Sequence, residues 1–239
     1  MMKTIRRHRG FSKAVFCVLV FVLLTMTTDR NRIYHDELAL YTDVVRCSPM
    51  KARPNMHLGM AYAAAGLRSK AVQQYRAAIA LKPDYAMAYN NLANLWYETG
   101  RYDLSASYYQ KALDLSPSYA DAYANLANTF YSLGKTDKAV EYFLISISLE
   151  PSKAGVHEHL GIVYESQDRL IDAAAEYQLA ILLKPDFAEA YYDLGLLSKK
   201  QGYLDRAGEL FETALRLDPG LVKAQKALEV LHHANRGNQ

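Results

Sequence analysis

The chain has 239 residues, 51% hydrophobic and 22% charged, a balance that suits a folded protein and excludes a disordered one. Its formal charge of +3 resides in residues 1–28, where Lys3, Arg6, Arg7, Arg9 and Lys13 stand without an acid; removing those five leaves about −2 for the rest, no field for nucleic acid. Two cysteines, Cys17 and Cys47, make no disulfide framework and read as small apolar residues.

The first element is a basic N-terminus, 1–13, which leads into the uncharged run AVFCVLVFVLLTMTT at 14–28. A spanning helix needs about 17–25 residues, and Lys13 and Arg30 can snorkel to extend this one. Residues 14–29 are therefore expected to be a transmembrane anchor. The preceding cations predict a cytoplasmic N-terminus, with the remainder periplasmic, lumenal or otherwise extracytoplasmic. The alternative, a cleaved signal, has only threonines in TMTTDR to offer as a cleavage site.

Prolines set the order of the remaining chain. Six fall at 49, 83, 117, 151, 185 and 219, each 34 residues after the last, and Pro54 alone stands outside the series. Such self-similarity marks stacked supersecondary units, here 52–85, 86–119, 120–153, 154–187 and 188–221. Within a unit, place 7 holds Leu58, Leu92, Leu126, Leu160 and Leu194. Place 8 is always small: Gly59, Ala93, Ala127, Gly161, Gly195. Place 11 is a ring in Tyr62, Trp96, Phe130 and Tyr164, with Ser198 the exception. Further on, place 20 is Ala71, Ser105, Ala139, Ala173 and Ala207, and place 24 is Tyr75, Tyr109, Phe143, Tyr177 and Phe211. Spacings of three and four put each set on one helix face, so each unit predicts two amphipathic helices. Between them lie Gly66, Gly100, Gly134 and Gly202, suited to a left-handed cap, with Asp168 in the fourth unit.

These places resemble the tetratricopeptide repeat, whose pattern is W-x2-L-G-x2-Y…A-x3-F…P over 34 residues. The resemblance covers 52–221. It implies an all-α fold, a right-handed superhelical solenoid of antiparallel helix pairs, here preceded by the single N-terminal transmembrane helix. Ahead of the repeats, 33–49 matches a lone second helix, Tyr41 and Val44 aligning with Tyr75 and Ala78. Behind them, 222–234 starts in phase as another first helix but carries lysines, so it reads as a polar cap before a tail at 235–239. Six of the nineteen tyrosines, Tyr41, Tyr62, Tyr75, Tyr109, Tyr164 and Tyr177, fall at these stacking places.

The side of each first helix not used in stacking lines the concave face of a solenoid. The period puts Asn90, Asn91, Asn94 and Tyr97 there in the second unit, and Asn125, Asn128 and Tyr131 in the third. His159 comes next in the fourth, then Tyr192 and Asp193 in the fifth. An amide both donates and accepts, so a ladder of amides can grip an extended peptide backbone, with tyrosines adding aromatic contact. The alternative is that the amides are solvated or bond to one another. O-GlcNAc transferase carries a similar asparagine ladder, and that resemblance implies peptide binding. The carboxylate clamp of co-chaperone repeats matches less well: Asn94 and Asn125 fit its amides, but Asn90, Gly155 and His159 stand where it has cations.

Signals for catalysis are lacking. HEHLG at 157–161 has Gly161 where a zinc-protease motif needs histidine, and His157 and His159 point about 200° apart on a helix. The chain carries no phosphate-binding loop, nucleophile elbow or CxxC. The expected function is a non-enzymatic, membrane-anchored scaffold without cofactor or metal, whose partner is a protein or extended peptide. Residues 30–59 also resemble the junction in polytopic membrane proteins of the O-mannosyltransferase type, where a last membrane helix leads into such repeats. One alternative is therefore the recognition part of a glycosyltransferase system, and another is a secreted adaptor after signal cleavage.

Overall fold

The computed structural model describes residues 37–237, with side chains described as far as residue 232. The expected anchor at 14–29 and the first residues of the lone helix, 33–36, lie outside the described residues. Among the described residues no helix is long and apolar enough to cross a membrane. They form twelve α-helices and no strand. A lone helix, α1 (Glu37–Cys47), precedes five hairpins: α2 (Ala52–Ala64) with α3 (Arg68–Leu81), α4 (Ala86–Glu98) with α5 (Tyr102–Leu115), α6 (Ala120–Ser132) with α7 (Thr136–Leu149), α8 (Ala154–Ser166) with α9 (Leu170–Leu183), and α10 (Ala188–Lys200) with α11 (Leu204–Leu217). The last helix, α12 (Val222–Gly237), runs three residues past the expected end of the cap at 234, because nothing in HHANR stops a helix before Gly237.

Local chemistry explains the regularity. Each first helix ends in a left-handed residue: Gly66, Gly100, Gly134 and Gly202 have φ between 72° and 85°, and Asp168 has φ 58°. Aspartate tolerates this region better than most residues with a Cβ. One residue later, a backbone N–H reaches back, as in Lys135 to the Phe130 carbonyl and Arg169 to Tyr164, both at 2.9 Å. That bond satisfies an orphan carbonyl and turns the chain. Each second helix stops before a residue held extended near the next proline, such as Ser116 (φ −142°, ψ 84°) and Glu150 (φ −139°, ψ 83°).

The described residues divide into two compact units, the first ending at Ala88 and the second beginning at Tyr89. In the first, α1 packs on α2, and Tyr41 stacks on His57 with ring centroids 5.1 Å apart. Inside the α2–α3 hairpin, a Cβ placed on Gly59 would come within 2.6 Å of the buried Tyr75 ring. The second unit repeats the device: Gly161 lies that close to Tyr177, and Gly195 to Phe211. Small residues at place 8 thus seat the ring at place 24 of the same hairpin. Departures from this scheme are satisfied in place. Ser105 and Ser146, both fully buried, donate at 2.9 Å to the carbonyls of Ala93 and Ala120. The core of the second unit continues from hairpin to hairpin, Phe143 joining Leu160 and Val163, and Tyr177 joining Leu194 and Leu197.

Candidate partner-binding groove

Helices α4, α6, α8 and α10 carry the candidate residues, and their stacking sides are fixed by the leucines at place 7. The free sides bear a row of polar side chains with two adjoining cavities. A cavity of about 210 Å³ is lined by Asn94, Tyr97, Glu98, Tyr109, Asn125 and Asn128. A larger one, about 560 Å³, shares Asn125 and Asn128 and continues past Asp121, Lys153 and Gly155 to His159 and Lys184.

The amides are mutually bonded in part. Asn125 Nδ2 donates to Asn90 Oδ1 at 3.3 Å and to Asn94 Oδ1 at 3.4 Å, while Asn90 Nδ2 donates to Asn91 Oδ1 at 3.4 Å. Asn94 also accepts from the Tyr109 hydroxyl. Burial drives the Tyr109 pKa well up, so this phenol stays a donor. Asn128 occupies the same place in the third hairpin, but its partner ring is Phe143, which has no hydroxyl. Its amide forms no hydrogen bond among the described residues and faces both cavities.

The ten expected site residues are therefore placed differently from one another. Asn94, Tyr97, Asn125, Asn128 and His159 line the cavities. Asn90 does not: only 4% of it is exposed, and its Oδ1 accepts from Asn125. Asn91 is half-buried and lines neither cavity. Tyr131 packs against the core, and Tyr192 lies on Phe211 at 5.8 Å beneath the Lys223 ammonium. Tyr97 keeps its hydroxyl at the cavity rim, 3.1 Å from Ser132 Oγ. Asn125 on α6 bridges Asn90 and Asn94 on α4, so the amides form a zigzag between the two helices.

Asp193 belongs to a second polar group. Burial and then the neighbouring Glu158 push its carboxyl up to about 7, and burial likewise raises Glu158, only 8% exposed. Around them, Tyr177 donates to Glu165 at 3.2 Å, and His159 Nε2 lies 3.5 Å from Glu158. His159 is held below the usual histidine range by burial, with Asp193 opposing. His157 turns inward instead, bridging the Pro151 carbonyl at 3.0 Å and Glu176 at 2.7 Å. Among the described residues no group of three metal-ligating side chains converges.

Sequence reading missed Tyr109, Glu98, Lys153 and Asp121. Tyr109 was visible only as a stacking ring; the signal was tyrosine rather than phenylalanine at place 24, facing a polar residue on the first helix. Lys153 and Asp121 belong to the loop and first turn flanking α6 and α8, where they pair with each other.

Comparison with known proteins adds the lineage. Family models described as tetratricopeptide repeat match residues 56–120, 120–153 and 188–221. No curated protein matches the sequence. Solved structures similar to the chain include YrrB, described as a TPR protein with an unusual peptide-binding site, at 18% identity and TM-score 0.60 over 79% of this chain and 97% of that one. The pilF protein of Pseudomonas aeruginosa is similar at 21% identity and TM-score 0.68, over 83% and 90%. So is a chain of the APC/C hetero-tetramer Cut9–Hcn1, at 22% and 0.73, over 87% of this chain but 41% of that one. With its family matches, 34-residue hairpins and small-residue seats beneath the rings, the chain belongs to the tetratricopeptide repeat family of protein-interaction scaffolds.

Proposed function

We propose that this protein is a membrane-anchored scaffold that holds an extended peptide segment of a partner protein along α4, α6 and α8. The observation that carries the reading is the pair of adjoining cavities sharing Asn125 and Asn128, with the Asn128 amide open. A peptide backbone presents alternating N–H and C=O groups, and an open amide complements both. Tyr97 supplies an apolar wall, and the Asn94–Tyr109 bond holds the floor rigid, which lowers the ordering cost of binding. The described peptide-binding site of YrrB, on a similar fold, is compatible with this reading. Residues 14–29 would anchor the array, cytoplasmic N-terminus first.

Affinity capture from membranes tests the groove. The Asn125→Ala/Asn128→Ala variant is expected to lose its partner while keeping its helix content by circular dichroism; equal recovery by the two proteins rejects the groove. For the anchor, the intact chain is expected to stay in the pellet through an alkaline-carbonate wash, and its release rejects that part. The same groove would serve if a separate subunit transferred sugar; glycosyl transfer by the purified chain alone would overturn the non-enzymatic reading.

A further inference from the structure

Helix α9, LIDAAAEYQLAILL, is apolar on two opposite sides. Its inner side is in use: Ala173, Tyr177 and Ala180 are buried in the hairpin core. Its outer side is not. Ile171 is 85% exposed and Leu182 75%, and Ala175, Gln178 and Leu179 lie exposed between them. A helix apolar all round belongs in an interior, and among the described residues nothing covers this side.

The other second helices supply a comparison within the chain. At the place of Ile171 they carry Ser69, Asp103, Asp137 and Asp205. At the place of Leu182 they carry Ala80, Asp114, Ser148 and Arg216. The hairpin itself does not require an aliphatic residue at either place, since four repeats fold with small or charged ones. The exposed pair on α9 therefore serves something outside its own repeat.

Spacing and charge say what fits there. Ile171, Ala175, Gln178 and Leu182 follow one another at four, three and four residues, the spacing of a seam along which two helices pair. The seam is uncharged and reads alike in both directions, with a branched aliphatic residue at each end. Charges stand beyond those ends: Arg169 and Asp172 at the head of the helix, Lys184 and Asp186 at its tail. Laid antiparallel on a second α9, Ile171 meets Leu182 of the copy, and the small Ala175 leaves room for Gln178. The same arrangement brings Arg169 to Asp186 and Asp172 to Lys184. Laid parallel, each charge would meet its own like. Two-fold, self-complementary contacts are the commonest way in which identical chains associate.

We propose that the outer side of α9 is a self-association surface, which pairs antiparallel with α9 of a second copy of this chain. Fourteen residues make a face about 21 Å long, at the small end of specific interfaces, so the dimer is weak and dissociates on dilution. The surface belongs to a second helix, whereas the asparagine groove belongs to first helices. Pairing therefore leaves the groove open, and the proposal rests on neither the groove nor the anchor.

Sedimentation equilibrium of the full chain, in density-matched non-ionic detergent for its apolar N-terminal run, tests the pairing. The wild type is expected to move from the 27.0 kDa monomer toward twice that mass as concentration rises through the micromolar range. Ile171→Asp and Leu182→Arg should each weaken association by about tenfold or more, since each buries a charge in the seam. Sister repeats carry aspartate and arginine at these exposed places, so melting temperature at dilute concentration should not fall. An equimolar mixture of the two variants is expected to regain the dimer, because position 171 of one faces position 182 of the other only in the antiparallel arrangement. A monomer at every concentration overturns the proposal, as does a mixture no more associated than its components. Association that neither substitution alters also overturns it and assigns self-association to another part of the chain. A wild type that stays monomeric, yet captures a membrane protein that Ile171→Asp does not, overturns it in favour of that partner.

Discussion

Asn94 and Asn128 occupy one place in successive repeats, and Tyr109 and Phe143 occupy another, yet one amide is tied down and the other is open. The free sides of the first helices in repeats 4 and 5 share the same backbone but carry Glu158, Glu165 and Asp193 with His159, and burial there raises the carboxyl pKa values of Glu158 and Asp193. Repeats 2 and 3 present neutral donors and acceptors; repeats 4 and 5 present a titrating acidic cluster. The difference shows that one backbone carries different chemistry on this face, and that the ring at place 24 of the second helix decides whether the amide opposite it is bonded within the hairpin.

The largest effect expected tests what the two regions share. Ala127→Leu should overpack the seat of Phe143 and cost about 1–3 kcal/mol by chemical denaturation. At the same place in repeat 4, Gly161→Ala sets a 2.6 Å approach to Tyr177 against a gain of about 1 kcal/mol in helix propensity, so its loss should be smaller. A mild Ala127→Leu phenotype would break the common packing scheme. Next, Tyr109→Phe should cost about 1 kcal/mol by removing the shorter of the two hydrogen bonds that Asn94 Oδ1 accepts, leaving only the 3.4 Å bond from Asn125. The converse, Phe143→Tyr, should tie Asn128 and weaken partner capture without loss of stability. If neither substitution alters capture, the ring does not control the amides.

For repeats 4 and 5 the expected effect is one of pH. Asp193 and Glu158 keep protons in the folded protein at pH values where the unfolded chain has released them. Fewer protons in the unfolded state mean that stability falls as pH rises, here from about 4, the ordinary carboxyl value, through about 7. Asp193→Asn should flatten that decline, as read from melting temperatures across the window. An unchanged slope would remove the titrating pair from the comparison. The smallest change is expected from Asp168→Gly. It relieves a left-handed aspartate but loosens the unfolded chain and removes an exposed contact with Lys200 at 3.5 Å, so stability should move by less than about 1 kcal/mol.

Much of the architecture was legible because it is written in period. Prolines every 34 residues, small residues under rings, and glycine between helices each answer a local steric demand, and local demands repeat wherever the backbone does. The same regularity places Asn125, Asn128 and His159 on the lining side. It says less about Asn90, which is buried and bonded to Asn125 of the next hairpin. It also says less about Tyr131 and Tyr192, long side chains that turn onto the core although their Cα atoms belong to the free side.

The sequence by itself determined the helices, their caps, their pairing and the family, since these rest on contacts within one repeat and on hydrophobic spacing. Only the tertiary structure decided which polar groups are satisfied internally and which stay open: Asn94 bound by Tyr109 but Asn128 free, His157 tied to Glu176 and the Pro151 carbonyl but Asp193 Oδ2 buried without a partner among the described residues. Hydrogen bonds and charge pairs depend on ångström-scale distances between side chains from different helices, and those distances are set by packing rather than by position in the repeat.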